Sequence, residues 1–142
     1  MTPATPHLDA ERDTIFDRFT AVGEDLSKTS ERDRTIVAVY GAQGVIDNGG
    51  LKYSCENNWP GTPAYRVFVD AYRRVGAGPV ADVLERAVAR FPFPNPHAQQ
   101  ELRLEFMASL DDSDPFFGEA ACDRSDVWGR LEDYVRSSAQ QE

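Results

Sequence analysis

Residues 78–91 read Gly-Pro-Val-Ala-Asp-Val-Leu-Glu-Arg-Ala-Val-Ala-Arg-Phe and carry the clearest helical pattern in the chain. Apolar side chains stand at positions 80, 83, 84, 87, 88 and 91. This three-and-four spacing places them on one face of an α-helix. Pro79 suits the first turn, where its missing N–H costs no hydrogen bond. The pattern predicts an amphipathic helix that buries the face containing Leu84.

Five further segments on either side show the same helical spacing. They begin near Asp9, Ser30 and Thr62, after the Pro-rich residues 91–96, and near Ser125. No segment sustains the strict alternation of a strand, and no repeat is visible. The sequence predicts an all-α fold, a compact single-domain, non-repeat bundle of about six helices. We expect a flexible leader over 1–8, one helical domain over 9–137 and a frayed tail over 138–142.

Three local predictions depend on glycine, proline and apolar spacing. Asn48-Gly49-Gly50 is expected to end the second helix and to leave 51–61 irregular, because glycine readily caps helices. Thr62-Pro63 is expected to open the third helix. The fifth helix is expected to bury the side chains at i, i+4 and i+8, which are Leu102, Phe106 and Leu110.

Composition narrows the class of protein. With 142 residues, 41% of them hydrophobic, the chain can bury the core of one globular domain. Its apolar runs are too short to span a bilayer, and the N-terminal residues lack the pattern of a secretory signal. A cytoplasmic location follows as the expectation, with Cys55 and Cys122 reduced and serving as small buried hydrophobes.

Negative charge is concentrated towards the C-terminus. Residues 1–100 contain 13 Asp and Glu against 11 Lys and Arg, whereas residues 101–142 contain 11 against 4. On the last helix, the spacing of Asp126 with Arg130 and of Glu132 with Arg136 predicts pairs that neutralise each other. The uncompensated carboxylates, which we predict to bind a partner, are Glu101, Glu105, Asp111, Asp112, Asp114, Glu119 and Asp123.

No catalytic or cofactor motif accompanies this charge. His7 and His97, the two histidines, have no nucleophile or carboxylate at a spacing typical of a catalytic pair. The acidic stretch after Asp111 lacks the glycine and closing glutamate of an EF-hand, so no metal site is predicted. A pI near 4.7 disfavours direct binding to nucleic acid. We therefore expect no enzyme activity, cofactor or membrane association.

The segment 51–61 supports two interpretations. Tyr53, Asn57, Asn58 and Trp59 could line a small-molecule pocket. The same residues could instead form an aromatic loop packed on the core, with the amides capping helix ends. The packed loop is the favoured interpretation.

The order of several motifs resembles a known family. Val45-Ile46-Asp47-Asn48-Gly49-Gly50-Leu51 is followed by Asn57, Val75-Gly76-Ala77, Leu84, Ala87 and Phe91-Pro92. Ser109-Leu110-Asp111-Asp112, Phe116-Phe117 and the closing Leu131 and Tyr134-Val135 complete the pattern. This order, over about 30–136, resembles a bacterial domain-of-unknown-function family whose best-known member is a dimeric DNA-mimic protein. The resemblance implies an all-α fold, no catalysis, a homodimer and an acidic surface that occupies the DNA-binding face of a regulator.

Three functions remain open from the sequence. The first is a non-enzymatic acidic protein that binds a basic protein, as a DNA mimic does. The second is an immunity or antitoxin protein that binds a toxin. The third is a small ligand-binding or enzymatic domain built around 51–61.

Overall fold

The computed structural model describes residues 4–111, 114 and 124–139. These residues form six α-helices and no β-strand. The helices are α1 Pro6–Ala21, α2 Glu31–Glu56, α3 Tyr65–Arg74, α4 Gly78–Ala89, α5 Gln100–Ala108 and α6 Arg124–Ser138. Two short 3₁₀ turns, Leu26–Lys28 and Pro96–Ala98, lie in the connections. The all-α prediction is confirmed.

The long helix α2 is the centre of the bundle. It packs against α1, α3, α5 and α6, while α4 packs against α3. Its first turn is capped as the sequence predicts, since Ser30 Oγ accepts a hydrogen bond from the Asp33 N–H at 3.1 Å. One apolar cluster joins the six helices, and its fully buried members include Ile15, Ile36, Val39, Leu51, Tyr72, Met107 and Leu131.

The α4 face behaves as its spacing predicts. Val80, Leu84, Ala87 and Phe91 are buried, and Leu84 is 6% exposed. Burying a side chain of this size stabilises the fold by about 1.5–3 kcal/mol. The prediction for this segment is confirmed.

Helix α2 is interrupted at the predicted Asn48-Gly49-Gly50, where Gly50 has a non-helical φ and ψ of 77° and −175°. This residue kinks the helix, and helical structure then resumes as far as Glu56. Leu51, Ser54 and Cys55 thereby become buried. The break at Gly50 was predicted, whereas the predicted irregular stretch is wrong for 51–56, because a second helical segment follows directly after the kink.

Two helix starts and one buried helix face also differ from the sequence prediction. Helix α1 begins at Pro6 rather than Asp9, and Leu8, expected in a flexible leader, is 1% exposed. Helix α3 begins at Tyr65, since Thr62 has a φ of 42° that is incompatible with a helical cap. Helix α5 buries Arg103 and Met107 and leaves Leu102 39% exposed.

Candidate functional site

Helix α5 presents two of the predicted carboxylates on the surface. Glu101 and Glu105 are exposed and stand one helical turn apart. In the described residues neither has a lysine or arginine within ion-pair distance. Asp111, also exposed, follows two residues after Ser109, the C-cap of this helix. These three carboxylates form what we call the α5 acidic surface.

Asp114 is engaged inside the chain instead. Its Oδ2 accepts a hydrogen bond from Arg90 Nη2 at 3.0 Å, and its Oδ1 accepts from Arg90 Nη1. The carboxylate raises the pKa of the Arg90 guanidinium through this bond. Its charge is therefore compensated by an arginine. The other predicted partner-binding residues, Asp112, Glu119 and Asp123, lie outside the described residues.

A buried arginine fixes the opposite side of α5. Arg103 is 1% exposed and donates to four neutral oxygens. They are the carbonyl oxygens of Cys55 at 3.0 Å, Pro96 at 2.6 Å and His97 at 3.0 Å, and the side-chain oxygen of Asn58 at 2.7 Å. This network ties α5 to the end of α2 and to the turn before it. The sequence does not predict this network, because an arginine side chain between two leucines is usually exposed to solvent.

Helix α1 carries a second row of carboxylates that sequence analysis missed. Asp9, Asp13 and Asp17 occur at i, i+4 and i+8, and all three are exposed. The Asp13 side chain is 88% exposed and has only a loose contact with Arg12, whose Nε lies 3.5 Å away. We call this row the α1 acidic stripe. Its four-residue spacing was the available signal, but the near-zero net charge of residues 1–100 concealed it.

Arg18, the second arginine of α1, is paired with a carboxylate of α2 and not with the stripe. Arg18 Nε and Nη2 donate to the two carboxylate oxygens of Asp33 at 2.7 and 2.9 Å. Asp33 is only 4% exposed, so this pair holds α1 against α2. Counted along the sequence, Arg18 offsets one carboxylate of α1. In the fold its charge is instead used in packing α1 against α2. Asp17, one residue before it, has no cationic partner in the part of the chain that the structure describes.

Other arginines are also committed to contacts within the protein. Arg32, 7% exposed, donates to Glu11 at 3.1 Å and to the Val135 carbonyl at 3.0 Å. Arg34 donates to the carbonyls of Leu26 and Thr29 at 3.2 and 3.0 Å. These arginines are thus engaged within the protein, while the carboxylates of α1 and α5 stay at the surface; other arginines, such as Arg66, remain exposed.

On α6, one predicted pair forms and the other does not. Arg130 Nε lies 2.7 Å from Asp126 Oδ2, as expected. Arg136 pairs with Asp133 at 3.0 Å rather than with Glu132. Glu132 is 7% exposed and accepts hydrogen bonds from the Leu8 N–H at 2.9 Å, the His7 N–H at 3.2 Å and His7 Nδ1 at 2.6 Å. The carboxylate therefore caps the start of α1 instead of neutralising its neighbour on α6.

Within 51–61, Cys55 and Trp59 pack into the core, whereas Tyr53 is 48% exposed. Trp59 lies against Phe68 with ring centroids 5.0 Å apart, and Asn58 is a partner of Arg103. Cys55 is 2% exposed, and burial raises its pKa to about 12, so the thiol is protonated at neutral pH. The cavity that Ser54, Cys55 and Tyr65 line has a volume of only about 10 Å³. The packed-loop interpretation describes these contacts.

The described residues contain neither a metal-type cluster nor a membrane-spanning helix. No group of three or more His, Cys, Asp or Glu side chains is placed to hold a metal ion there. No helix in the same residues combines the length and apolar character needed to cross a membrane.

Comparison with known proteins gives one match. No curated protein and no solved structure matches the chain. A family model described as DMP19-like protein matches residues 27–138, which include α2 to α6 and the α5 acidic surface. Helix α1 and its acidic stripe precede the matched region. Since the match covers most of the chain, this protein belongs to the DMP19-like family.

Proposed function

We propose that this chain is a non-enzymatic acidic protein that binds a basic, DNA-binding protein as a DNA mimic. The observation that carries the proposal is the separation of charge on the folded surface. Asp9, Asp13, Asp17, Glu101 and Glu105 are exposed, whereas Arg18, Arg32, Arg34 and Arg103 are bound to groups within the protein. Such a surface attracts cationic partners and repels nucleic acid.

The spacing of the α1 acidic stripe suits this role. Eight residues of helix separate Asp9 from Asp17, which is about 12 Å of axis. One strand of a DNA duplex carries three to four phosphates over that length, at one per about 3.4 Å. The carboxylates of α1, one per about 6 Å of axis, therefore supply a little over half the linear charge density of a single DNA strand. The α5 acidic surface adds carboxylates within the region that the family shares.

Neutralising the stripe tests the proposal directly. Basic proteins retained by the immobilised chain from a bacterial lysate at low salt are first tested for DNA binding. The chain is then titrated into a complex of each candidate with labelled duplex DNA, and displacement of the DNA is followed by fluorescence anisotropy. Asp9→Asn/Asp13→Asn/Asp17→Asn should weaken displacement about threefold to a hundredfold, since three exposed charges at about 0.2–1 kcal/mol each sum to about 0.6–3 kcal/mol.

A matched control removes the same charge elsewhere. Asp70→Asn/Asp126→Asn/Asp133→Asn also removes three negative charges, but each of these carboxylates is paired with an arginine on its own helix. This control should lose less than about threefold. Equal losses in both variants would show that displacement depends only on net charge, and would contradict the proposal of a DNA mimic. Partners that do not bind DNA at all would favour a toxin or another basic protein instead.

A homodimer forms part of the same proposal, because the family resemblance implies one. Light scattering should then give twice the 15.8 kDa mass of one chain. A mass equal to one chain at micromolar concentration would remove the dimer from the proposal without affecting the acidic surface.

A further inference from the structure

A cavity of about 200 Å³ lies between α1, α2, α3 and the segment that follows α2. Four aromatic rings contribute to its walls, from Phe16 and Phe19 on α1, Phe68 on α3, and Trp59. Ala38 and Gly41 of α2 line it as well. This volume is smaller than a drug-sized site but large enough for one aromatic ring, since an apolar cavity of about 150 Å³ holds benzene.

Gly41 helps to shape the cavity. A Cβ atom at this position would lie 3.2 Å from the Cζ3 atom of Trp59, which is tighter than ordinary packing. The absent side chain lets the indole approach the backbone of α2. Trp59 is then held by Phe68, at 5.0 Å between ring centroids, on another helix. The indole is thus fixed between two helices at the edge of the cavity.

One titratable residue, Glu24, is found among the residues that line the cavity. Glu24 is exposed and adopts a left-handed φ of 56°, which is strained for a residue other than glycine. Its N–H donates to the Phe19 carbonyl at 3.0 Å, which fixes its backbone beside the aromatic wall. Within the described ranges its carboxylate has no cationic partner, and Glu24 is the one ionisable residue in a lining that is otherwise apolar.

We propose that this cavity binds a small aromatic amine, with the ring among the four aromatic side chains and the ammonium group near Glu24. The apolar walls take the ring by the hydrophobic effect. The carboxylate and the faces of nearby rings favour a cation over a neutral group of the same shape. This site shares no residue with the α1 acidic stripe or the α5 acidic surface. A negative result for amine binding would therefore leave the proposed function unaffected.

Three probes separate ring recognition from charge recognition in the wild-type protein. 2-Phenylethylamine should bind with a stoichiometry of one and a Kd on the order of 1 mM or tighter, measured by isothermal titration calorimetry. 2-Phenylethanol, which replaces the ammonium with a hydroxyl, should bind at least fivefold more weakly. Propylamine, which lacks the ring, should show no saturable binding. Absence of saturable binding by 2-phenylethylamine would overturn the proposal.

Two variants then locate the site. Glu24→Gln should abolish the preference for the amine over the alcohol, whereas Glu85→Gln, which removes one exposed carboxylate from α4, should leave that preference unchanged. Ala38→Leu should fill the cavity and abolish binding of both ring compounds, with folding confirmed by circular dichroism. Retention of binding in Ala38→Leu would place the ligand elsewhere. Equal loss of preference in both glutamate variants would show general charge attraction. Either result would overturn the proposal.

Discussion

At the scale of single residues, this fold depends on places where a side chain is absent. Gly49 is such a place, because a Cβ atom there would lie 2.4 Å from Cδ2 and 2.6 Å from Cβ of Tyr53. The next residue, Gly50, has the left-handed φ that bends α2. The pair therefore has two separate functions: Gly49 gives Tyr53 room and Gly50 supplies the bend.

Gly49→Ala should destabilise the protein by about 1–3 kcal/mol, the usual range for forcing extra atoms into a packed position. Gly44→Ala is the matched control on the same helix, since a Cβ there meets nothing within 4 Å. That control should be neutral or stabilising by up to about 1 kcal/mol, because alanine favours helix. Urea unfolding of both variants measures the difference. Equal behaviour of the two would show that the contact with Tyr53 relaxes freely.

At the scale of helices, α1 is held by a carboxylate from the far end of the chain. Burial alone would raise the pKa of Glu132, but hydrogen bonds from the Leu8 N–H, the His7 ring and the His7 N–H outweigh it and lower the pKa. Lowering the pKa in the folded state means that the ionised form stabilises folding. This contribution is complete above the ordinary glutamate pKa of about 4.3 and is lost as the pH falls through the lowered value.

Glu132→Gln should cost about 1–2 kcal/mol at pH 7, since hydrogen bonds to an ionised acceptor are replaced by weaker ones. It should also flatten the loss of stability below about pH 4.3. Asp133→Asn is the neighbouring control. Its carboxylate has only an exposed pair with Arg136, so the change should stay below about 0.5 kcal/mol. Chemical denaturation at several pH values tests both, and an unchanged pH profile in Glu132→Gln would contradict the capping role.

The helices also show what the sequence could predict. The α4 face was predictable because apolar spacing alone determines which side of a simple amphipathic helix is buried. The continuation of α2 past Gly50 and the burial of Arg103 were not, since both depend on contacts with residues distant in sequence. The same limit applies to the surface. The exposure of Glu101 and Glu105 was predicted. The α1 acidic stripe was not predicted, because Arg18 offsets its charge in the sequence, whereas in the fold Arg18 is bonded to Asp33.

At the scale of the whole molecule, a formal net charge of −9 should make stability depend on salt. Salt screens repulsion among exposed carboxylates, whereas partly buried pairs such as that of Arg18 with Asp33 are screened less. Raising the ionic strength from about 0.01 to 0.15 M, which shortens the screening length from about 30 to 8 Å, should stabilise the wild type by about 1 kcal/mol. Neutralising Asp9, Asp13 and Asp17 together should roughly halve this effect. Urea midpoints measure it, and a wild type that is insensitive to salt would contradict the charge separation.

Helix α5 has an anchored side and an acidic side. Arg103 and Met107, each 1% exposed, secure the helix, and Glu101 and Glu105 take no part in the hydrogen bonds of Arg103. The outer charges can therefore be rearranged, reversed or respaced while the scaffold stays the same. A bundle with this organisation can acquire a new binding target through a few surface substitutions, with no redesign of its interior.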